Sequence, residues 1–442
     1  MFYIVENEQQ LAHLKNLSKK ESYVEIISNN DNFHPKLSHT VAIYIRPLSA
    51  TKGFIIPINH PEGINVAKDV VSPILSSIET LYVLDKKEAL YHFNITGAID
   101  LQLVTSMNKY ERLDIKQNVD TINRMYNRNR DFDDINKVIP LTKLYERSQS
   151  NYEQLLPIME QEIPKGFSFY NDTATKVFYL AEQSGVVVAP KEYVELFKPR
   201  DIKYNVKDNV AYSKYNLYNT TSRPTNAFNS VNFAAIPKTK EHRDVFTPKN
   251  DYFVELDFDG YHIRLLSELM DYELTDESAH IQLAKLYFGK DEISDDEYSA
   301  AKQINFQAMY GSIPEEHKDL EFFVKIERYI SDLWNTFNQE SEINNPYTGK
   351  SFTTDLKDMH PQKLMNYLIQ SVETSRNIRI LKDVLRYLQG KRTSVALYTY
   401  DSLLFDFDKT EGKELLNELE AIMSENNKYP VKFKYSKTLF LD

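Results

Sequence analysis

Short apolar and polar runs alternate through the first part of the chain. Over residues 1–110 the stretches "YVEIIS", "HTVAIYIRPL", "GFIIPINH" and "TLYVLD" resemble half-buried strands, and patches of helical period separate them. Residues 110–165 are charged and follow a helical period. The pattern therefore predicts an α/β module followed by helices.

The pattern of the middle region predicts a helix, a turn at Gly185, a short strand and a second helix that begins at Pro190. Residues 200–250 are rich in Asn, Thr and Lys and lack a regular period. From residue 251 the pattern becomes regular again. It predicts a strand "YFVELDFD", helices through residue 340, a long helix near 361–389 and a last strand "VKFKYSKTLFL".

The stretch "VALYTYDSLLFDF", residues 395–407, is apolar and aromatic except for Asp401 in its middle. Aspartate is depleted in strands, and a buried carboxylate is costly without a partner. The stretch divides into "VALYTY" and "SLLFDF", which predicts a hairpin with Asp401 at its bend.

Asp257 also follows an apolar strand, in "DYFVELDFDGYHIRLL". Two carboxylates on adjacent strands repel each other unless a cation lies between them, and such hard oxygen ligands suit Mg²⁺ with substrate phosphates. The alternative interpretation is that Asp257, or Asp259 beside it, caps the helix that begins near Tyr261.

A helix over residues 297–312 would place Lys302, Phe306 and Tyr310 on one face. A cation beside aromatic rings suits a nucleotide, with charge for the phosphates and rings for sugar and base. The alternative is a core stripe in which Phe306 and Tyr310 are buried and Lys302 extends to solvent.

Length, composition and net charge limit the class of protein and its expected partners. The 442 residues are 42% hydrophobic and 26% charged, which is typical of a globular protein of two to four domains. Cysteine is absent, so disulfides and thiolate metal sites are excluded, as fits the cytoplasm. We expect neither a transmembrane helix nor a signal peptide. A net charge of −11 opposes broad nucleic-acid binding but leaves room for a local basic cleft.

In order and spacing, several segments resemble the polymerase half of family A DNA polymerases, the DNA polymerase I family. "VELDFDGYHIRLLSEL" is similar to motif A, "AAKQINFQAMYG" to the fingers helix and "YTYDSLL" to motif C. Three further matches support the resemblance, which extends over roughly residues 220–405: "TTSRPTNAFNSVNFAAIPKTKEHRDVF", "NPYTGKSF" and "MNYLIQSVETSRNI".

The resemblance implies roles for the matching residues at the reaction centre. Asp257 and Asp401 would bind two Mg²⁺ ions, helped by the carbonyl of Phe258. Lys302 would meet the triphosphate and protonate the leaving pyrophosphate. The other nucleotide-binding positions would be His262, His280, Tyr298, Phe306 and Tyr310.

The resemblance also implies a DNA-binding surface and a support for the metal site. Arg223 and Gln370 would donate to minor-groove acceptors that all correct base pairs share, and would therefore test geometry rather than sequence. Arg264 would brace the metal site from behind. The other DNA-binding positions would be Gly311, Asn366 and Tyr400.

Four positions depart from the family pattern. His262 replaces the Glu that crowds the ribose 2′-hydroxyl, so sugar selectivity is open. Tyr298 replaces an Arg that contacts the triphosphate, Ser402 replaces an auxiliary Glu, and Ser222 replaces a Gly. The family's pattern with Phe306 implies discrimination against dideoxynucleotides.

The first 145 residues resemble a degenerate 3′–5′ exonuclease domain, whose chemistry needs four carboxylates around two metal ions. The positions where these carboxylates should fall hold other residues: Ile27, two after Glu25; Ala89; and Arg130, four after Tyr126. Asp133 and Asp134 are out of register. We therefore expect no proofreading.

The predicted fold is α+β, a right-hand polymerase with an antiparallel palm sheet, helical fingers and a reduced thumb, preceded by an RNase H-like α/β domain. The predicted domains are 1–145 exonuclease-like, 146–215 thumb or connector, and 216–442 palm and fingers, with the fingers at about 272–345.

The function we expect is template-directed addition of dNTPs to a primer by a compact, phage-like monomer in the cytoplasm, or the host cytoplasm if phage-encoded. Its partners would be primer–template DNA and dNTPs, with a processivity partner that compensates for the small thumb. The alternatives are a single-subunit-type RNA polymerase and a catalytically inactive DNA-binding accessory protein.

Overall fold

A computed structural model describes residues 3–116, 119–199, 202–227, 231–311 and 313–441. Its helices are α1 (Glu8–Leu17), α2 (Lys68–Ser76), α3 (Lys86–Leu90), α4 (Leu101–Lys109), α5 (Asp120–Asn129), α6 (Ile135–Val138), α7 (Leu141–Met159), α8 (Thr175–Ala181), α9 (Pro190–Phe197), α10 (Lys240–Arg243), α11 (Tyr261–Leu269), α12 (Ala279–Phe288), α13 (Asp295–Tyr310), α14 (Glu321–Glu340), α15 (Pro361–Tyr387) and α16 (Gly412–Met423).

The strands are β1 (Glu21–Ser28), β2 (Thr40–Pro47), β3 (Phe54–Pro57), β4 (Thr80–Val83), β5 (Ile99–Asp100), β6 (Val186–Val188), β7 (Val206–Lys207), β8 (Val210–Ala211), β9 (Tyr215–Asn216), β10 (Thr225–Asn226), β11 (Phe246–Thr247), β12 (Tyr252–Phe258), β13 (Glu342–Asn344), β14 (Ser351–Thr353), β15 (Ser394–Thr399), β16 (Ser402–Phe407) and β17 (Val431–Ser436). Within the described ranges, no helix combines the length and the apolar character that crossing a bilayer requires.

The chain folds into two compact units. Unit 1 comprises Met1–Gln183, Pro199–Tyr218 and Ala227–Val231, and unit 2 comprises Ser184–Lys198, Asn219–Asn226 and Asn232–Asp442.

Unit 1 is built on a mixed five-stranded sheet in the order β3-β2-β1-β4-β5. Successive side chains of a strand point to opposite faces, so each strand serves two cores. In β3, Phe54 and Ile56 pack in one cluster with α1 and α2, whereas Ile55 packs in another with α5, α6 and α7. The predicted α/β module is therefore confirmed as a sheet covered on both faces by helices.

Unit 2 is built on an antiparallel four-stranded sheet in the order β15-β16-β12-β17. Every residue of the inner strand β16 is buried, as its near-continuous apolar sequence predicts. The charged residue of that strand, Asp406, is also buried, and it accepts backbone hydrogen bonds of 2.9 Å each from Lys249 and Asn250. These bonds satisfy a carboxylate that would otherwise be costly to bury.

Local sequence signals explain where the two long helices of the site begin. At the start of α13, Ser294 and Glu297 form a capping box, and the acidic first turn complements the helix dipole. The N-cap of α15 is His360, with Pro361 at the first helical position. The predicted long helix and the helix at Pro190 are both confirmed.

Candidate active site

The two predicted aspartates meet at one end of the four-stranded sheet. Asp257 pairs across the sheet with Ser402, so the turn between β15 and β16 brings Asp401 beside it. The backbone N–H of Phe258 donates to the carbonyl of Asp401 at 3.0 Å. Both aspartates line a pocket of about 290 Å³, and the predicted hairpin with Asp401 at its bend is confirmed.

Burial, and then proximity, raise the pKa values of these two carboxyl groups. Burial, then the neighbouring Asp401 and Glu255, raise the pKa of Asp257 to about 7. Asp401 is exposed at the tip of the hairpin. Even so, partial desolvation and then the nearby Glu373 carboxylate raise its pKa as well. The pocket therefore disfavours two full negative charges unless a cation joins them.

The alternative interpretation of Asp257 or Asp259 as a cap for α11 is wrong. That helix follows Gly260, whose φ is +59°, and no side chain caps it. Asp259 instead serves the start of α12, where it accepts from the backbone N–H of Ala279 at 3.0 Å and from the Ser278 hydroxyl at 3.3 Å. Asp257 is left to face the pocket.

Helix α13 forms the opposite wall. Tyr298, Lys302, Phe306 and Tyr310 occur once per turn along it, and all four line the pocket. The rings of Phe306 and Tyr310 stack with centroids 5.9 Å apart. The pocket thus sets a cation and a pair of aromatic planes against two carboxylates.

The alternative of a core stripe on α13 is also wrong. Phe306 is 46% exposed, and Lys302 is exposed as well. The buried side of the helix is formed by other residues: Ala301, Asn305, Ala308 and Met309. An exposed aromatic ring at a pocket wall is available to stack on a ligand.

His280 lines the pocket from α12 behind the rings of α13. Its ring packs against Tyr298, with centroids 5.9 Å apart, and its Nδ1 lies 3.0 Å from Nδ2 of Asn305. Burial, together with the positive charge of Lys302, lowers the pKa of His280 to about 4, although the Asp259 carboxylate opposes the shift. At neutral pH His280 is therefore uncharged and offers hydrogen-bonding capacity rather than positive charge.

His262 is the centre of a polar chain that crosses three elements. Its Nδ1 contacts the hydroxyl of Tyr310, and its Nε2 lies 3.1 Å from Oε1 of Glu373 on α15. Arg223 donates from Nη2 to Oε1 of Glu373 at 3.1 Å, and its Nε lies 2.9 Å from Oε2. The guanidinium of Arg223 also stacks on Tyr400, 4.0 Å from the ring centroid.

The remaining predicted residues lie outside the lining of this pocket. Arg264 donates to the carbonyls of Asp259, Thr275 and Glu277 at 3.1, 3.0 and 2.7 Å, so it fixes the loop behind the site. On α15, Gln370 accepts from the Thr221 hydroxyl at 3.4 Å. The others lie at the end of α13, on α15 and at the hairpin turn: Gly311, Asn366 and Tyr400.

Sequence reasoning missed three charged residues of the site. Glu373 lies one turn after Gln370. An acidic residue in a helix of mostly buried positions is unusual, and this could have indicated a functional role from the sequence. Lys432 of β17 pairs with Asp259, and Glu255 accepts from the Ser402 hydroxyl at 3.4 Å. Over the described parts of the chain, no cluster of three or more His, Asp or Glu side chains is arranged to hold a metal ion.

The positions examined for exonuclease carboxylates lie in unit 1. Glu25 is on the central strand β1, where both its oxygens accept from Nδ2 of Asn151 at 3.2 and 3.1 Å. Burial raises the pKa of Glu25. Ile27 is a core residue, and Ala89 is buried on α3. The absence of proofreading stays a prediction, as does the exonuclease-type ancestry of this unit.

No protein-family model matches the chain, and no curated protein does. Among solved structures, it is similar to the POL domain of Pol1 from M. smegmatis in complex with DNA primer-template and dNTP. The TM-score is 0.69 at 13% sequence identity, over 100% of this chain and 99% of that one. The chain therefore has the fold of a Pol1 polymerase domain, as the resemblance predicted.

Proposed function

We propose that the chain is a template-directed DNA polymerase, a nucleotidyltransferase that adds dNTPs to the 3′ end of a primer. The observation that carries the proposal is the convergence of Asp257 and Asp401 on one pocket opposite Lys302. The fold supports it, because the solved structure that it resembles holds DNA primer-template and dNTP. Two mutually repelling carboxylates in one pocket are unfavourable unless a cation binds between them, as the proposed reaction requires.

The pocket fits a nucleoside triphosphate in one orientation. Lys302 and Tyr310 are separated by two helical turns, about 12 Å at 1.5 Å per residue. Phosphates at the Lys302 end and a base against the ring of Tyr310 would therefore bridge this length. The sugar would lie between them, against Phe306 and His262.

The donor set at the carboxylate end fits Mg²⁺. Asp257 and Asp401 would hold two ions with the carbonyl of Phe258, and the open pocket leaves other coordination positions to water and phosphate oxygens. When bound, the ions would supply charge stabilisation for phosphoryl transfer. This arrangement also explains why two carboxyl groups with raised pKa values are kept side by side.

In the proposed reaction the primer 3′-oxygen forms a bond to the α-phosphorus, and the bond from that phosphorus to the bridging oxygen breaks. Pyrophosphate leaves and takes a proton from Lys302, while the 3′-hydroxyl proton passes to solvent. Tyr298 and His280 frame the triphosphate end of the pocket. Their hydrogen-bonding groups would supply part of the contact that an arginine at position 298 makes in the polymerases that the chain resembles.

The DNA surface would run from the pocket along α15. Arg223 and Gln370 would read minor-groove acceptors, with Asn366 on the same helix as Gln370. Tyr310 and Gly311 would hold the template side of the nascent pair. Tyr400, stacked on Arg223, would lie beside the primer end because it precedes Asp401 in the hairpin turn.

We further propose that the chain is a compact, phage-like member of family A. Residues 1–145 would be a degenerate exonuclease domain without proofreading, 146–215 a reduced thumb, and 216–442 the palm and fingers. A small thumb would contact only a short length of duplex, so a processivity partner would be needed to hold the enzyme on DNA. The enzyme would be a monomer in the cytoplasm.

Extension of a labelled primer annealed to a template, with Mg²⁺ and dNTPs, tests the proposal. We expect extension by the wild type and none by Asp401→Asn, with Asp332→Asn as a control because Asp332 is exposed on α14 and pairs only loosely with Arg328 at 3.8 Å. Equal use of rNTPs would mean that His262 does not exclude ribose. No extension with retained duplex binding would indicate an inactive accessory protein.

A further inference from the structure

Glu373 is a buried carboxylate that joins two walls of the nucleotide pocket. Its side chain is 1% exposed. Oε1 accepts a hydrogen bond, and both oxygens lie within ion-pair distance of basic nitrogens. Oε1 lies 3.1 Å from Nε2 of His262 and accepts from Nη2 of Arg223, while Oε2 lies 2.9 Å from Nε of the same arginine. One acidic side chain therefore fixes two basic ones that come from different elements.

The charges around Glu373 keep it ionised. Burial alone would raise its pKa, but His262 and then Arg223 outweigh that effect and lower it. An ionised carboxylate only accepts hydrogen bonds. An imidazole nitrogen 3.1 Å from this carboxylate is favourable only when it carries a proton, because two lone pairs would repel each other there. Nδ1 of His262 contacts the hydroxyl of Tyr310.

The ring of His262 is thus held at both nitrogens, and its orientation depends on Glu373 at one of them. His262 lines the pocket together with the two aspartates and the aromatic rings of α13, and in the proposed binding mode the sugar of the nucleotide would lie against it. A side chain held at two points resists displacement by an extra hydroxyl group better than one held at a single point.

We infer that Glu373 is a positioning residue that orients His262 against the nucleotide sugar and thereby sets the preference for deoxyribose over ribose. The inference rests on the proposed function. It gives α15 a part in sugar selectivity, which the resemblance to family A polymerases places at position 262 alone. It also gives a reason for an acidic residue in a helix whose neighbouring positions are buried.

Glu373→Gln tests this with little change in shape. The amide is uncharged, and in either orientation its NH₂ group would face an N–H group of Arg223 or His262, because Arg223 Nε lies against Oε2 and both Arg223 Nη2 and His262 Nε2 lie against Oε1. The measurement is kcat/KM for one dNTP divided by kcat/KM for the matching rNTP in single-nucleotide addition. We expect the ratio to fall about tenfold in Glu373→Gln and in His262→Ala, with no further fall in the double variant.

Glu425→Gln is the matched control. Glu425, which follows α16, pairs at 2.7 Å with Arg376 on the helix that carries Glu373, but Glu425 does not line the pocket. Loss of its charge should therefore leave the ratio unchanged. If Glu373→Gln does not fold, Glu373→Asp replaces it, because the shorter carboxylate keeps the charge and gives up the contact with His262. We expect the ratio to fall in that variant too.

The outcomes are separable. Absence of dNTP addition by the wild type would overturn the proposed function and this inference with it. Addition by the wild type, with a Glu373 variant that lowers kcat for both sugars equally and leaves the ratio unchanged, would overturn the inference alone. A fall in the ratio that adds to that of His262→Ala would show that Glu373 does not act through His262.

Discussion

The backbone N–H of Phe258 donates to the carbonyl oxygen of Asp401 at 3.0 Å. This bond joins the end of β12 to the turn of the β15–β16 hairpin, and it brings together two aspartates that lie far apart in the sequence. Sheet pairing, rather than any direct bond between the carboxylates, holds them close. The backbone can therefore hold the two carboxylates close together although they repel each other.

The raised pKa of Asp257 predicts a pH-dependent stability in metal-free protein. With a pKa of about 7 against an ordinary value of 3.8, the folded chain binds this proton more tightly than the unfolded chain does. The contribution of Asp257 to stability is therefore present near pH 4 and is lost as the pH rises to 7.

Urea unfolding in EDTA at pH 5, 7 and 8 measures this effect. We expect Asp257→Asn to be more stable than the wild type at pH 8, by roughly 1–4 kcal/mol, and to show a flatter pH profile. Parallel profiles for the two proteins would show that Asp257 does not carry the shift.

Lys302 is predicted to act at the departing phosphates. Lys302→Met should reduce the rate of nucleotide addition by about 100-fold, because it removes both the charge and the proton donor. Lys302→Arg should recover part of that loss, since it restores charge but not an acid of similar strength. Pre-steady-state addition of one nucleotide measures the rates.

Gln303→Met is the control for that series, because Gln303 is exposed on the same helix and outside the pocket lining. It should leave the rate near that of the wild type. An equal loss in Gln303→Met and Lys302→Met would mean that any change on α13 disturbs the site.

Gly260 and Gly289 offer a matched test of packing next to the site. Both have positive φ, +59° and +64°, but a Cβ at Gly260 would lie 2.9 Å from Cβ of Ala279, whereas a Cβ at Gly289 would meet nothing within 4 Å. We expect Gly289→Ala to cost about 1 kcal/mol from backbone strain and Gly260→Ala about 1–3 kcal/mol more from the clash. Chemical denaturation measures both, and equal costs would refute the steric argument.

Ser222 holds a left-handed conformation, with φ of +57°, at the position where the family has Gly. Its hydroxyl accepts from the buried ammonium of Lys350. Both Ser222→Gly and Ser222→Ala lose that bond, but only the alanine variant keeps the backbone strain. The glycine variant should therefore be more stable by about 1 kcal/mol in urea unfolding. Equal stability would mean that the strain at this position is negligible.

Local patterns in the sequence were enough to predict the elements that carry the candidate site. The apolar run around Asp401, broken at one charge, predicted a hairpin, and the spacing of Lys302, Phe306 and Tyr310 predicted one face of a helix. Both signals are local, because they depend on strand and helix periods alone. The polymerase fold followed from the order of several such segments.

The contacts of Glu373 could not be predicted in the same way. Its partners, His262 and Arg223, come from α11 and from a loop, and only the tertiary fold brings them to α15. The same holds for Glu255, which meets Ser402 across the sheet. Helix and strand periods predict which face a residue occupies but not which distant residue will lie opposite it.

If a template directs the synthesis, the nucleotide that is added must change with the template base, and single-nucleotide addition on four templates measures this. The primer–templates would differ only in the first unpaired template base, and each would be offered one dNTP at a time with Mg²⁺. We expect efficient addition of the complementary nucleotide in each case and slow addition of the other three. Addition of the same nucleotide on every template, or no addition on any of them, would show that the protein is not a template-directed polymerase.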